Sequence, residues 1–259
     1  GRNQFTRVAV LPGRASGSGL YTLAFSPDGR WLATAGDNGE LQLWAIADLI
    51  ASPAPTTPTA LLFYGPGQVG QLTFAHDSHT LAMHMTGTAD GNVVVLWDTR
   101  EATLSDGEGD VLALLTAENG FRAAAFSPTD DLLLTGNSLG QLQLWDTSPL
   151  PQNEPIDLGS LAEVHLSSIT FMAFAPDGRQ FATTDNGGVA HLWQMNSEAE
   201  AIQPEDFTFR RLIEGLAIYS EAFSQEGKWV ALGLTNGQIQ LQPLDYVATL
   251  LENACEQAQ

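Results

Sequence analysis

The chain has 259 residues, of which 44% are hydrophobic and 15% are charged. This composition supplies enough apolar side chains for a folded core and is unlike that of disordered or fibrous proteins. Thirty acidic and ten basic residues give a net charge of −20, which argues against nucleic-acid or membrane-surface binding, because both need clustered Lys and Arg. A protein or peptide, including a basic one, remains as the expected partner.

The cysteine content and the hydropathy of the chain indicate the cellular compartment to expect. Cys255 is the single cysteine, so neither an intrachain disulfide nor a cysteine-based metal cluster can form. No stretch approaches the roughly 20 apolar residues of a membrane helix, and the chain shows no secretory leader pattern. We therefore expect a cytoplasmic protein.

One residue pattern occurs five times along the chain. Its aligned phenylalanines fall 49, 52, 48 and 49 residues apart, close to the period of propeller blades. These phenylalanines are Phe25, Phe74, Phe126, Phe174 and Phe223. Near the end of the repeat, the first four copies carry Trp44, Trp97, Trp145 and Trp193, and Gln242 replaces the fifth. The repeat indicates a single domain.

Strand and turn signals alternate within each copy. Apolar and polar residues alternate through residues 41–44 and 142–145, which predicts strands with two distinct faces. The sequence Pro27-Asp28-Gly29 is typical of a tight turn, since proline presets φ and glycine accepts a positive φ. Asn38-Gly39 is a strong signal for a two-residue hairpin.

These repeats resemble those of the WD-repeat family, whose blade ends in a Trp-Asp pair. Trp97-Asp98 and Trp145-Asp146 keep both residues, and the resemblance covers nearly the whole chain. It implies an all-β β-propeller of about five four-stranded antiparallel blades, in which the phenylalanine lies on the innermost strand. The resemblance also implies a binding module rather than an enzyme.

The resemblance divides the chain into a propeller and a tail. Blades are expected near residues 20–64, 69–116, 121–161, 169–213 and 219–244. Outer strands are expected near Thr59–Tyr64, Asp110–Thr116, Pro155–Leu161 and Phe207–Ile213. The loops before these strands are acidic or proline-rich, so we expect the face that carries them, the bottom face, to be negative. Asp245–Gln259 has the apolar spacing of a short amphipathic helix.

Ring closure has two interpretations, because rings of this family usually have seven blades. In the favoured one, Phe5–Leu11 supplies the missing outer strand of the fifth blade and closes a five-bladed ring. In the other, the chain is part of a larger ring or of an assembly. The C-terminal segment also resembles the tail of bacterial WD-repeat proteins that carry signalling domains upstream, so a fused upstream domain or an oligomeric assembly is a further expectation.

The family's internal hydrogen-bond network is largely missing here. It joins a histidine before the first strand, a Ser or Thr on the second strand, an Asp in the following turn and the Trp. His165 is the one histidine at the matching position, and Asp185 lies near the aspartate position of the same repeat. We therefore predict that His165 and the four repeat tryptophans are structural.

Catalytic signals are absent from the sequence. There is no phosphate-binding glycine loop, zinc helix or nucleophile elbow, and His76, His79 and His84 are read as solvated side chains rather than metal ligands. No catalytic residue, metal or cofactor is predicted. The alternative is a carbohydrate-binding or carbohydrate-active propeller with the carboxylates of Asp37, Asp90 and Asp185 at the channel mouth.

A binding surface is expected on the top face, which the family most often uses and which holds the turns between second and third strands and the loops between blades. The candidates are Arg14, Asp37, Asn38, Arg122, Asn137, Asp185, Asn186 and Tyr219. The sequence thus predicts a protein-binding scaffold or sensor module of a larger bacterial signalling or assembly system.

Overall fold

The computed structural model describes residues 10–11, 19–51, 57–100, 111–196, 202–215 and 217–244. They form five antiparallel sheets, four with four strands and the last with three. In each sheet the strands are hydrogen-bonded in chain order. The predicted all-β architecture of about five such sheets is confirmed.

The sheets are numbered in chain order. Sheet 1 contains β1 (Leu20–Phe25), β2 (Trp31–Gly36), β3 (Glu40–Ala45) and β4 (Ala60–Phe63). Sheet 2 contains β5 (Gln68–Phe74), β6 (Thr80–Thr88), β7 (Gly91–Asp98) and β8 (Val111–Leu115). Sheet 3 contains β9 (Phe121–Phe126), β10 (Leu132–Asn137), β11 (Leu142–Asp146) and β12 (Ile156–Ser160). Sheet 4 contains β13 (Ile169–Phe174), β14 (Gln180–Asp185), β15 (Ala190–Met195) and β16 (Phe207–Ile213). Sheet 5 contains β17 (Ile218–Phe223), β18 (Trp229–Leu234) and β19 (Ile239–Pro243).

Turn chemistry sets the hairpins, as the sequence predicts. Asn38 and Gly39 have φ angles of 73° and 67°, which only residues tolerant of the left-handed region adopt readily. Gly29 and Gly178, in the turns between first and second strands, have φ angles of 71° and 69°. Side chains at these glycines would strain the turns that reverse the chain.

Each sheet packs between its neighbours through two apolar faces. The leading face carries the phenylalanine and tryptophan of the repeat, and the trailing face carries the residues one and three positions before the tryptophan. At the first junction, Leu41 and Leu43 on the trailing face of sheet 1 share a buried cluster with Leu72 and Phe74 on the leading face of sheet 2. Similar clusters fill the other three junctions. Apolar burial between sheets therefore holds the fold together.

The first strands of the five sheets contact one another in chain order, from β1 to β17. This places them at the centre, with the fourth strands outside. A short helix, α1 (Ile46–Ala51), follows β3 where the sequence predicts only a loop. Among the described residues, no helix is long and apolar enough to cross a membrane.

Two predicted segments fall largely outside the described residues. Of Phe5–Leu11, the structure describes Val10 and Leu11, which lie outside any strand. Asp245–Gln259, the expected C-terminal helix, lies wholly outside them. The described residues do not show sheets 1 and 5 packed against each other, as a closed ring of five blades requires.

Candidate binding surface

Two loops meet on the top face at the junction of sheets 3 and 4. Gly140 has a φ of +86°, and a Cβ atom there would lie 2.6 Å from the carbonyl oxygen of His165 and 2.8 Å from that of Ser167. The turn between β10 and β11 therefore touches the loop between β12 and β13. Glycine is required both for the backbone conformation and for this close approach.

Asn137 organises the turn between β10 and β11. Its Oδ1 accepts hydrogen bonds from the backbone N–H groups of Leu139 and Gln141, both at 3.0 Å. Its Nδ2 donates to Oε1 of Gln141 at 2.8 Å. Because these bonds fix the turn from within, the side chain of Leu139 projects outward and is 57% exposed.

A buried hydrogen-bond network holds the neighbouring loop. Trp193 Nε1 donates to Thr183 Oγ1 at 2.9 Å, and that hydroxyl lies 2.7 Å from His165 Nε2. The other ring nitrogen of His165, Nδ1, lies 2.9 Å from Asp185 Oδ2. Asp185 Oδ1 in turn accepts from the backbone N–H of Val189 at 3.0 Å. These hydrogen bonds thus link Trp193 on β15 to the loop that precedes β13.

The protonation state of His165 follows from these partners. Burial lowers the pKa of His165, although the Asp185 carboxylate opposes that shift. In the neutral ring, Nδ1–H donates to Asp185 and Nε2 accepts from the Thr183 hydroxyl, which is free to donate because it accepts from Trp193. Every polar atom of the network then has a partner, so the loop is held rigidly.

Leu166 follows directly after the buried histidine and is 98% exposed. Glu163 in the same loop and Glu118 in the preceding loop between sheets are also exposed. The turn between β10 and β11 also contacts the loop between β8 and β9, because Ser138 Oγ donates to the carbonyl oxygen of Asn119 at 2.6 Å. We call the surface formed by Leu139 and Leu166, together with the exposed Glu118 and Glu163 of the two neighbouring loops, the leucine patch. It combines exposed apolar side chains with acidic ones.

Among the described residues, sheet 4 alone keeps the full network from histidine to tryptophan. In sheets 1 and 3 only the last link remains, with the tryptophan Nε1 donating to Thr34 at 3.1 Å and to Thr135 at 2.9 Å. In sheet 2, Met83 takes the place of the threonine, and the buried Nε1 of Trp97 has no partner. The predicted structural tryptophans are thus packed in the sheets, with Trp145 only half-buried.

This difference predicts unequal costs for equal substitutions. Trp44→Phe removes the hydrogen bond that the tryptophan donates to the Thr34 hydroxyl. Trp97→Phe removes a donor that already lacks an acceptor. We expect Trp97→Phe to cost about 1 kcal/mol less in the free energy of unfolding than Trp44→Phe. Urea denaturation of both variants measures the difference, and equal losses would contradict this account.

The predicted binding residues divide into three groups. Asn38, Arg122, Asn186 and Tyr219 are exposed, and Asp37 is half-buried beside the hydroxyl of Tyr21 at 3.1 Å. Asn137 and Asp185 are buried and bonded within their own turns, so their side chains are not available to a partner. Arg14 lies outside the described residues.

The sequence analysis does not predict the leucine patch. One sequence signal for it exists, since Leu139 occupies a turn position where the WD-repeat family favours aspartate. An apolar residue in an otherwise polar turn points to a partner or to packing, and only its exposure distinguishes the two. No comparable pattern marked Leu166.

His76, His79 and His84 are close in sequence but do not form a common site. His84 Nε2 lies 2.9 Å from the carbonyl oxygen of Phe121, and burial lowers the pKa of His84 to about 4. His76 lies on the bottom face, with Nδ1 3.7 Å from Asp131. Within the described part of the chain, no three His, Cys, Asp or Glu side chains form a group that could hold a metal ion.

A cavity of about 340 Å³ opens among the innermost strands. Its lining includes Phe126, Met172, Phe174 and Phe223 together with the polar Gln71 and Thr73, and no carboxylate is among the described lining residues. Asp90, one of the aspartates expected at the channel mouth, is exposed and accepts a hydrogen bond from the hydroxyl of Tyr64 at 2.8 Å. Nothing in this arrangement favours the carbohydrate alternative.

Comparison with known proteins agrees with this architecture. The family model described as "WD domain, G-beta repeat" matches residues 5–45, 109–146 and 158–194. The β-propeller domain of Cps50 (Swd1) from Myceliophteria thermophila has a TM-score of 0.66 to this chain at 17% sequence identity, covering 88% of this chain and 70% of that domain.

Two curated relatives match this chain over only part of their own length. Protein HIR1 of Eremothecium gossypii is 22% identical over 85% of this chain, which spans 28% of that protein. A Protein LST8 homolog of Drosophila pseudoobscura pseudoobscura is 25% identical over 67% of this chain, which spans 51% of that protein. The chain thus spans about half or less of the curated relatives it matches.

Consecutive antiparallel sheets arranged around their first strands define a β-propeller. The matched segments run through β1–β3, β8–β11 and β12–β15, so they coincide with the structural repeat. The chain is therefore a β-propeller, and the matched segments are similar to WD repeats.

Proposed function

We propose that this propeller is a protein-recognition module and that the leucine patch on its top face is the recognition surface. The observation that carries the proposal is the near-complete exposure of Leu166 in a loop whose preceding residue is buried and hydrogen-bonded at both ring nitrogens. A rigidly displayed apolar side chain loses little conformational freedom on binding, which favours affinity.

The acidic residues of the patch indicate the partner's chemistry. Glu118 and Glu163 are exposed in the two loops that the turn of Leu139 contacts, and the chain as a whole carries a net charge of −20. A partner segment with an apolar residue between Lys or Arg residues fits both features. Complementary charge would speed association and exclude acidic competitors.

We also propose that the chain acts as a module within a larger protein or assembly. The chain spans only part of its relatives, which supports a module within a larger protein or assembly. A sensor role in bacterial signalling, expected from the C-terminal tail, gains no support from these relatives, because they come from the eukaryotes Eremothecium gossypii and Drosophila pseudoobscura pseudoobscura.

A peptide library displayed on phage tests this proposal. Selection on the chain should enrich peptides with an apolar residue flanked by Lys or Arg, and Leu166→Glu should weaken binding of the selected peptides at least about tenfold, the equivalent of about 1.4 kcal/mol. The measurement is isothermal titration of one synthetic peptide with both proteins.

Ile156→Glu is the matched control, because Ile156 is an exposed apolar residue on the outer strand β12, away from the top face. It should leave the dissociation constant unchanged. If both substitutions weaken binding equally, or if the selected peptides share no such pattern, the leucine patch is not the recognition surface.

A further inference from the structure

Sheet 3 has a cavity at the place where sheet 4 has its buried histidine. His165 lies nine residues before Phe174, and the residue at the same distance before Phe126 is Ala117. Ala117 lines a cavity of about 210 Å³, which we call the sheet-3 pocket. The other lining residues come from the loop between β8 and β9 and from sheet 3 itself: Thr116, Phe121, Asn137, Gln141, Gln143, Trp145 and Asp157.

The residues around the sheet-3 pocket correspond in strand register to those around the ring of His165. The corresponding pairs in sheets 3 and 4 are Asn137 and Asp185, Gln143 and His191, Trp145 and Trp193, and Asp157 and Phe209. In sheet 4 the imidazole of His165 fills the space between these residues, and its side chain is 0% exposed. Because Ala117 carries only a methyl group, the same space is left open in sheet 3.

The pocket has an aromatic wall. Trp44, Trp97 and Trp193 are 2%, 1% and 0% exposed, whereas Trp145, which lines the pocket, is half-buried. The ring of Phe121 meets that of Trp145 edge to face, with centroids 6.4 Å apart and planes at 78°. Aromatic surfaces at this angle favour a flat ligand that can stack on one ring and meet the edge of the other.

A buried hydroxyl next to this wall has an unused hydrogen. Thr135 is 0% exposed, and its Oγ1 accepts from Trp145 Nε1 at 2.9 Å. Among the described residues, the hydrogen of this hydroxyl has no acceptor. In sheet 4 the equivalent hydroxyl of Thr183 lies 2.7 Å from Nε2 of His165, which accepts its hydrogen. A buried donor without an acceptor costs free energy, so a ligand that accepts from it gains by binding.

The pocket also contains a carboxylate. Asp157 is exposed and lines the pocket, and its Oδ1 accepts from the backbone N–H of Gly159 at 2.8 Å and from the side-chain amide of Gln143. Its Oδ2 has no hydrogen-bond partner among the described residues, so that oxygen can accept from a ligand. The pocket thus combines a flat aromatic wall, a donor and an acceptor.

We propose that the sheet-3 pocket binds an imidazole ring, supplied by a histidine side chain of a partner or by a free azole compound. Its volume is below the roughly 300–1,000 Å³ of sites for drug-sized ligands, so it suits one small planar ring. In the neutral ring the bare nitrogen would accept from the Thr135 hydroxyl, and the N–H would donate to Asp157. The ring of His165 is held between a hydroxyl and a carboxylate in the same way.

The pocket lies beside the leucine patch. Ala117 is followed by Glu118, and Gln141 closely follows Leu139 in the turn after β10. A partner segment bound to the leucine patch would therefore pass close enough to place a histidine in the pocket. The site does not depend on that proposed function, because a free ring needs no contact with Leu139 or Leu166.

Titration with imidazole at about pH 8, where the free ring is neutral, tests the site. The indole N–H resonance of Trp145, assigned by its loss in Trp145→Phe, should shift with a dissociation constant of about 1–10 mM, which is within the limit for a ligand of this size. With about 50 mM imidazole the Tm should rise by about 2 °C or more. No shift of this resonance would mean that the pocket holds only water and would overturn the proposal.

Ala117→His is the matched variant, because it supplies the ring from the chain itself. It should raise the Tm by about 4 °C or more and abolish the response to imidazole, whereas Ala117→Ser should keep that response. An equal response in Ala117→His and the wild-type chain overturns the proposal. If Ala117→His folds poorly, 1-methylimidazole decides the question on the wild-type chain. It lacks the N–H donor and should bind at least about fivefold more weakly than imidazole, and equal binding would contradict the site.

Peptide selection distinguishes the two sources of the ring. If a partner supplies it, peptides selected on the wild-type chain should be enriched in histidine, and those selected on Ala117→His should not. Imidazole binding without this enrichment assigns the pocket to a free ligand. Leu166→Glu should leave imidazole binding unchanged, so a failure of the leucine patch as a recognition surface is distinguishable from a failure of this site.

Discussion

Replacing Glu221 by leucine is expected to raise the free energy of unfolding at pH 7.5 by about 2–3 kcal/mol. For a chain of this size such a gain corresponds to a rise in Tm of about 4–10 °C. Few surface substitutions stabilise a protein to this extent, so the result would be easy to distinguish from ordinary variation.

The reason lies at the junction of sheets 4 and 5. Glu221 is directly opposite Leu232 in the register of β17 and β18, so its side chain shares the face on which Leu232 packs against Ala182 and Leu192 of sheet 4. Both carboxylate oxygens are buried and have no hydrogen-bond partner. The equivalent residues in sheets 1, 2 and 4 are apolar: Leu23, Leu72 and Met172.

The effect should depend on pH in a defined direction. Burial raises the pKa of Glu221 well above its ordinary value, so the folded state binds a proton that the unfolded state releases above about pH 4.3. The wild-type chain therefore loses stability as pH rises from that value towards the folded-state pKa. The advantage of Glu221→Leu should be large at pH 7.5 and small near pH 4.

Urea denaturation at both pH values measures the effect. Glu221→Gln removes the charge but keeps an unpartnered polar group, so it should give a smaller gain than leucine. Glu226→Gln is the matched control, because Glu226 is exposed in the turn between β17 and β18, and it should change stability by less than about 0.5 kcal/mol. A loss of stability in Glu221→Leu would show that the carboxyl has a partner.

Replacing Asp185 by alanine is expected to destabilise the chain by about 3 kcal/mol or more. The substitution leaves His165 Nδ1–H and the backbone N–H of Val189 buried without an acceptor. It also frees the loop that carries Leu166, so binding of a selected peptide should weaken at temperatures where the variant is still folded. Denaturation and peptide titration measure the two effects separately.

Asp90→Ala provides the comparison. Asp90 lies in the corresponding turn of sheet 2 but is exposed, and it accepts one hydrogen bond from the hydroxyl of Tyr64. Its loss should cost less than about 1 kcal/mol. If the two aspartates prove equivalent in stability, the network in sheet 4 is not the element that holds the loop.

Much of the fold was predictable because its signals are local. The phenylalanine period, the alternation in residues 41–44 and the Asn38-Gly39 turn each specify a strand or hairpin through neighbours in sequence. The expected outer strands near residues 110–116 and 207–213 lie at β8 and β16. His165 was also identified as a buried residue, since its spacing from the repeat's phenylalanine matches that of the family's structural histidine.

The binding surface was less predictable because exposure depends on contacts between distant segments. Asp185 and Asn137 were expected on the surface from their turn positions, but both turn inward to satisfy backbone groups of their own turns. Leu166 is exposed because its neighbour His165 is anchored below it. No local pattern records such a division between adjacent residues.

The sequence by itself determined the repeat, the strand order and the turn conformations, since these follow from side-chain periodicity and from the φ preferences of glycine, asparagine and proline. The tertiary structure alone decided which equivalent positions are buried. Leu192 and Leu241 carry the same side chain at the same place in the repeat, yet one is buried and the other is open. Among the described residues, the difference is the presence or absence of a neighbouring sheet, which a single repeat cannot encode.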